Sequence, residues 1–346
     1  MTRRTNPSFA DTFLASLLFG ALSSLCVACD AGAGASSATE SAAQLQSAQP
    51  TTSPSFLSAM VRAPERVAHS GLRRVEYHLT VDDLPTSLVY DERITADGEG
   101  HYAIEPVSVA APAMTVPQRE IFEELQHTRQ GFFFKYRDLR VRDVDLFVAN
   151  YTVRVLPEPA VVAGVECVEI EAIPRVGPRR SYTLAVEAQS GLVLRALERD
   201  ASGAIVAATT YLEFSRTPTL DGVEFFAERY AGTPLAQAEL PADFAPARPQ
   251  ILPEGYREVS SEVVELEAQT YVRRVYGDGL ENLFFLERHD PRVPLDASAP
   301  EPATLTVRIA ELGSFQVAEV VRGRGSFFVV GKVSEADVLG ILRSAL

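Results

Sequence analysis

The sequence predicts an α+β fold: a large curved antiparallel half-barrel with crossing helices, followed by a small C-terminal α+β domain. Three observations predict it. Short runs that alternate apolar and polar residues, such as Val75, Tyr77 and Leu79 against Arg74, Glu76, His78 and Thr80, recur across residues 55–233. Turn signals at Ser190-Gly191, Ser202-Gly203 and Asp221-Gly222 separate the later runs at hairpin-like intervals, the mark of a meander and not of a parallel sheet. After a Pro-rich stretch, further strand-like runs close in Ser334-Glu335-Ala336-Asp337, a capping box that leads an amphipathic helix.

The elements follow in order. Residues 1–28 carry Arg3 and Arg4, then an apolar run from Phe13 to Leu25 and small residues before Cys29, the pattern of an export signal that is cut away. Val27-Ala28-Cys29 resembles a bacterial lipobox in which Cys29 receives the lipid, with Cys26 where that motif usually has Leu. Asp30 then resembles an inner-membrane retention signal. Residues 29–54 are rich in Ala, Ser, Thr, Gly and Gln and form a flexible tether, with a reach of roughly 25 to 30 Å. From Ser55 a short helical pattern runs to Pro64, which is expected to end it.

The half-barrel domain spans residues 55–233. Its first strands are expected around Val75–Val81, Leu88–Tyr90 and Tyr102–Ile104, the last two joined by the tight turn Asp97-Gly98-Glu99-Gly100. A helix is expected between Pro117 and Gly131, followed by Phe132-Phe133-Phe134 as core strand or cavity lining. Further strands are expected at 151–155, 166–173, 181–187, 192–199, 205–214 and 223–230. Residues 234–249 read as a Pro-rich linker. The C-terminal domain, residues 250–346, shows strand-like runs at 271–275, 283–286, 305–309, 315–321 and 327–330.

Composition excludes several function classes. The 346-residue chain has 32 Lys+Arg against 46 Asp+Glu, a formal charge of -14, which repels nucleic-acid phosphates and anionic headgroups. With 46% hydrophobic residues it can bury a core. Only Lys135 and Lys332 are lysines, which reads as codon bias. Cys26 and Cys29 spell C-x-x-C, but no second Cys or His pair completes a zinc site. Cys167 reads as a small buried strand residue. His69, His78, His101, His127 and His289 are scattered, and Asp143-Val144-Asp145 reads as a solvated strand edge. Arg322-Gly323-Arg324-Gly325 lacks the Lys-Ser/Thr of a phosphate loop and reads as a hairpin turn. No catalytic motif, metal site or cofactor site emerges, so an enzyme is not expected. A curved sheet with apolar residues inside could contain an acyl chain, for which Tyr77, Leu79, Tyr90, Tyr102 and Phe133 are the candidate lining; alternation alone favours a filled core.

Several segments carry a resemblance. Leu252-Pro253-Glu254-Gly255-Tyr256, Tyr276-Gly277-Asp278-Gly279-Leu280 and Phe327-Phe328-Val329-Val330-Gly331-Lys332-Val333 resemble, in order and spacing, the small domain of the MucB/RseB family of envelope-stress sigma-factor regulators. In the larger domain, residues 182–187, Ser190-Gly191-Leu192-Val193-Leu194-Arg195 and Asp200-Ala201-Ser202-Gly203 are similar to that family's strand and hairpin pattern, as is Phe56-Leu57-Ser58-Ala59-Met60. The resemblance spans roughly residues 55–346. It implies a LolA/LolB-like large domain and a periplasmic protein that grips the extracytoplasmic part of a membrane anti-sigma factor, modulates its proteolysis and senses lipid in its cavity. Members of that family are soluble after signal cleavage, whereas Cys29 implies an anchored protein that touches the membrane through its N-terminal lipid alone. The alternative is a lipid or lipoprotein carrier of the LolA/LolB type, which has no need of the second domain.

Overall fold

The computed structural model describes residues 53–81, 84–109, 140–225, 232–240, 244–266, 269–289, 307–312, 315–322 and 325–346. The first element, α1 (Pro54–Arg66), starts where Ser53 caps it by accepting from the Phe56 N–H at 3.3 Å, with proline in the first turn. Leu57, Met60 and Ala63 recur on one buried face. At about 1.5 to 3 kcal/mol for each large apolar side chain, that face attaches the helix to the sheet beneath it. The chain reverses tightly against it at Gly191 (φ +83), where a Cβ would lie 2.8 Å from the Met60 backbone nitrogen.

Among the described residues, nine strands form the first sheet: β1 (His69–Val81), β2 (Leu84–Ala96), β3 (Tyr102–Val109), β4 (Tyr151–Val155), β5 (Ala160–Val162), β6 (Val165–Pro174), β7 (Ser181–Glu187), β8 (Val193–Arg199) and β9 (Ile205–Ser215). Their order is β3-β2-β1-β9-β8-β7-β6-β4, with β5 beside β6 and every pair antiparallel. Among the described residues the path begins at β3 and ends at β4 without closing, an open sheet of the half-barrel type and not a closed barrel.

The second sheet has, among the described residues, seven antiparallel strands: β10 (Thr233–Pro234), β11 (Arg257–Leu266), β12 (Gln269–Gly277), β13 (Asn282–His289), β14 (Val307–Leu312), β15 (Phe315–Arg322) and β16 (Gly325–Gly331). The closing helix α3 (Glu335–Ala345) begins at the expected capping box, in which Ser334 and Asp337 satisfy each other's backbone N–H groups. Val338, Ile341 and Leu342 pack with Tyr276, Phe285 and Val329 into one apolar cluster. The Pro-rich stretch runs along this sheet: Thr233 and Pro234 pair with β11, and the Ala247 N–H donates to Glu287 at 2.6 Å.

Several expectations need correction. Asp143-Val144-Asp145 is not a strand edge; Asp143 is the N-cap of helix α2 (Val144–Asn150) and accepts from the Leu146 N–H at 2.9 Å. Pro64 does not end α1, which continues to Arg66; so close to the end of the helix, the missing N–H costs one bond and little else. Strand β11 has no counterpart in the sequence reading, because its polar residues and a bulge between Glu258 and Ser260 hide the alternation. Residues 223–225 carry no strand. The leader, Cys29 and the tether through residue 52, the helix expected at 117–131 and Phe132-Phe133-Phe134 lie outside the described residues, whereas Ser53 and Pro54 at the end of the tether cap and open α1.

Candidate functional site

Two places collect side chains with chemical potential, a cavity under α1 and a polar junction between the two sheets. The cavity has a volume of about 110 Å³ and is lined by Met60, Ile94, Tyr102, Leu192 and Tyr211 together with the charged Glu65, Arg73 and Arg140. Register places the expected inward residues on one face, since Val75 pairs with Tyr90, Tyr77 with Leu88 and Ala96 with Tyr102. Of the five candidates, Tyr77 and Tyr90 are buried among neighbouring side chains, and Tyr102 lines the cavity. Leu79 belongs to β1, with its side chain outside the described residues, as is Phe133. The same face holds a charge pair that alternation did not reveal: the Arg73 Nε donates to Glu92 Oε1 at 2.6 Å with both side chains buried.

At the β2–β3 turn, Asp97, Glu99 and His101 bring possible metal-ligating atoms within 4.8 Å of one another. Asp97 accepts from the Glu99 N–H at 2.7 Å and the His101 N–H at 3.1 Å, and its second oxygen meets His101 Nδ1 at 2.6 Å. Burial pushes this carboxyl up, but those donors outweigh it and hold it below the ordinary range. Asp97 is satisfied by the Glu99 and His101 N–H groups and by the His101 ring, and these bonds close the hairpin. Cys167 is a free, buried thiol, as the sequence reading expects.

The junction is assembled from residues far apart in the chain. Lys332, just after β16, donates from Nζ to Glu198 of β8 at 2.7 Å and to Glu281 of the β12–β13 turn at 3.0 Å, and Arg180 holds the other oxygen of Glu198 at 3.1 Å. An ammonium suits this position because it is compact and can share its donors between two carboxylates. Burial pushes the Glu198 carboxyl up, yet Lys332 and Arg180 more than offset it and hold it below its ordinary value. Burial dominates at Glu281, which is shifted up even though Lys332 opposes the shift.

Beside this ion cluster the β12–β13 turn locks onto α2. Asp278 accepts from the Tyr151 hydroxyl at 2.7 Å and from the Leu280 and Glu281 N–H groups at 3.0 and 2.8 Å. Asn150 donates to the carbonyls of Gly255 at 3.0 Å and Asp278 at 2.9 Å, while the Gly279 carbonyl accepts from the Arg142 N–H at 2.8 Å. Gly279 has φ +100, and a Cβ there would collide with the Phe147 backbone. The Arg179 guanidinium lies 5.1 Å from the centre of the Tyr256 ring, and Arg257 pairs with Asp143 at 2.6 Å. Leu252-Pro253-Glu254-Gly255-Tyr256 and Tyr276-Gly277-Asp278-Gly279-Leu280, two of the motifs that carry the resemblance, thus build the contact between the sheets. Sequence reasoning missed Glu198, Glu281 and Asn150; only the rarity of lysine at Lys332 marked the place.

A family model described as the MucB/RseB N-terminal domain matches residues 119–241. No curated protein matches. Similar solved structures include a crystal structure of MucB in complex with MucA(peri), 16% identical over 84% of this chain and 97% of that chain, with a TM-score of 0.47. A Pseudomonas aeruginosa MucA/MucB complex is 18% identical over 84% of this chain and 96% of that chain, also with a TM-score of 0.47. A putative outer membrane lipoprotein-sorting protein domain from Vibrio parahaemolyticus is 11% identical over 49% of this chain and 92% of that chain, with a TM-score of 0.20. The MucB/RseB resemblance read from the sequence is borne out, and residues 119–241 hold the segment that matches the family's N-terminal domain.

Proposed function

We propose that this chain is a periplasmic, lipid-anchored regulatory protein that binds the extracytoplasmic part of a membrane anti-sigma factor and thereby controls access of proteases to it. The carrying observation is the match of residues 119–241 to the MucB/RseB N-terminal domain. The arrangement of the described residues supports a binding role: the buried carboxylates of the junction are spent on holding two sheets together and face no open reaction centre. Two modules held in a fixed relation form an extended surface suited to gripping another chain. The boundaries belong to the same proposal, with residues 1–28 as signal, 29–54 as tether, 55–233 and 250–346 as the two modules and 234–249 as their connection. Cys29 attaches the lipid, and Asp30 favours the inner membrane.

Lipid sensing is the finer part of the proposal. The cavity under α1 has a largely apolar lining whose charged residues are already paired, Arg73 with Glu92 and Arg140 with Glu65, which suits an acyl chain and not a charged headgroup. At about 110 Å³ it is below the roughly 300 to 1,000 Å³ of sites that enclose small molecules, so an acyl chain enters only if α1 shifts. Lipid then favours the state with α1 displaced, and regulation follows from its differential affinity for the two states. A constitutive carrier would keep such a volume open and would have no use for the junction. The test is proteolysis of the anti-sigma factor's extracytoplasmic segment by its periplasmic protease, with and without this protein. The proposal expects cleavage to slow severalfold at saturating protein and to recover when lipid is added; an unchanged rate at saturation contradicts it.

A further inference from the structure

A second cavity, of about 460 Å³, lies where the connecting stretch crosses β11 and β12, and Arg248, Pro249, Leu252, Tyr256, Glu258 and Tyr276 help to line it. That volume falls within the roughly 300 to 1,000 Å³ of sites that enclose small groups. The charges around it balance. Arg248 lies 3.2 Å from Glu258 and Arg257 lies 2.6 Å from Asp143. Arg274 stands 3.8 Å from Glu258 and also attracts the Glu287 carboxylate. Three guanidinium groups thus meet three carboxylates. An ion of either sign would upset that balance, so the site suits a neutral group.

An independent observation says which neutral group. Two buried polar atoms, Glu258 Oε2 and the Tyr276 hydroxyl, lack hydrogen-bond partners among the described residues. Glu258 Oε1 accepts from the Ser261 hydroxyl at 2.7 Å, whereas the Arg248 guanidinium near Oε2 is a neighbouring charge without hydrogen-bond alignment. Tyr276 is 1% exposed and pairs directly with Glu258 across the β11–β12 ladder, so both side chains rise on one face, beside the cavity they line. Burial, then Glu258, push the Tyr276 phenol up to about 12, which keeps it protonated at neutral pH. The pair therefore offers one oxygen that can only accept and one hydroxyl that can donate. A carboxamide meets both without carrying charge: its NH2 donates to Glu258 Oε2, and its oxygen accepts from the hydroxyl. Pro249, Leu252 and Tyr256 supply apolar wall for the methylenes behind it. The carboxamide of Gln250, another lining residue, is held by its own backbone, donating from Nε2 to the Arg248 carbonyl at 2.9 Å.

We infer that this cavity is a docking subsite for the carboxamide side chain of a bound polypeptide, with Glu258 and the Tyr276 hydroxyl holding the amide. It deepens the reading of this chain as one that grips another protein and rests on that reading for its partner. A glutamate of the same shape brings a charge that nothing here neutralises and loses the donor that Glu258 needs. A methionine of the same length fills the wall but meets neither polar atom.

The test uses the full chain and three blocked peptides, acetyl-Ala-Gln-Leu-Val-N-methylamide and its Glu and Met counterparts, followed by peptide-observed NMR. The backbone amides are common to all three, so differences between them report the side chain. The glutamine peptide is expected to bind at least fivefold more tightly than either other peptide. Tyr276→Phe, with its fold checked by circular dichroism, should erase most of that preference. Glu258→Gln frees one cation and should invert the preference toward the glutamate peptide, whereas Arg93→Gln, at an exposed position of β2, leaves it intact. Equal binding of the glutamine and methionine peptides, tighter binding of the glutamate peptide to the unaltered chain, or an unchanged preference in Glu258→Gln would overturn the inference. Displacement by an equal concentration of propionamide would also overturn it, in favour of a site for a free small amide. The outcome is separable from the anti-sigma reading: a preference for the glutamine peptide without binding of the anti-sigma segment leaves the subsite standing and removes the partner, and the reverse result removes only the subsite.

Discussion

Lys332→Met removes the one cation that Glu198 and Glu281 share, and its cost can be worked from the geometry. At 2.7 and 3.0 Å, each attraction is about 5 to 6 kcal/mol at an effective dielectric of about 20. Most of this is offset in the native protein by the cost of desolvating three ions. Methionine fills the space but leaves the two carboxylates buried and under-compensated, with Arg180 still on Glu198. Breaking a buried pair in this way costs about 3 to 5 kcal/mol. The assay is urea unfolding at pH 7 and pH 5, followed by far-UV circular dichroism and by tyrosine fluorescence, since the chain has no Trp and 11 Tyr. At pH 7 the urea midpoint should fall by more than about 1 M. The loss should be smaller at pH 5, because burial shifts Glu281 up and favours its taking a proton, which removes the uncompensated charge, as pH falls. A loss below about 1 kcal/mol, the range of exposed ion pairs, or an equal loss at both pH values would refute the reasoning.

Three further outcomes can be measured. Because Glu281 sits above its ordinary value in the folded protein, its contribution is fully present below the unfolded value and is lost as pH rises through the folded one. Native stability should therefore gain from this group as pH falls through its folded value toward the unfolded one, and Glu281→Gln should flatten that part of the pH–stability curve; Glu198, held low, loses its contribution only at more acidic pH. Gly279→Ala should cost upwards of about 2 kcal/mol by urea unfolding, because a positive φ and a collision with the α2 backbone add together. Cys29→Ser should move the protein from the membrane fraction to the soluble fraction, and retention on membranes would overturn the lipid-anchor reading.

What was legible in the sequence was local. The Asp97-Gly98-Glu99-Gly100 turn announces the β2–β3 hairpin because glycine supplies positive φ at two positions, and Ser334 with Asp337 announces α3 through a reciprocal cap only three residues long. Helix α2 escaped because seven residues give too few turns for a helical period to rise above its Asp-Val-Asp start. The open order of the first sheet depends on β9 returning to β1, a pairing that no local signal encodes. The junction was illegible for the same reason on a larger scale. Lys332 and Glu198 are 134 positions apart, and Asn150 and Asp278 are 128 apart, so charge balance and burial exist only once both sheets have formed. The resemblance motifs at residues 252–256 and 276–280 were visible as words, and their role as the fastening between sheets was not.

The proposed function requires the two-sheet body to grip the extracytoplasmic segment of a membrane anti-sigma factor. Isothermal titration of the purified chain with that segment, taken from the anti-sigma factor of the same cell, tests it most directly. The account predicts a saturable one-to-one complex with a dissociation constant at or below about 1 μM, on the order of -8 kcal/mol, that Lys332→Met weakens by loosening the junction. No detectable heat or saturation at tens of micromolar segment, with the protein folded, would contradict it.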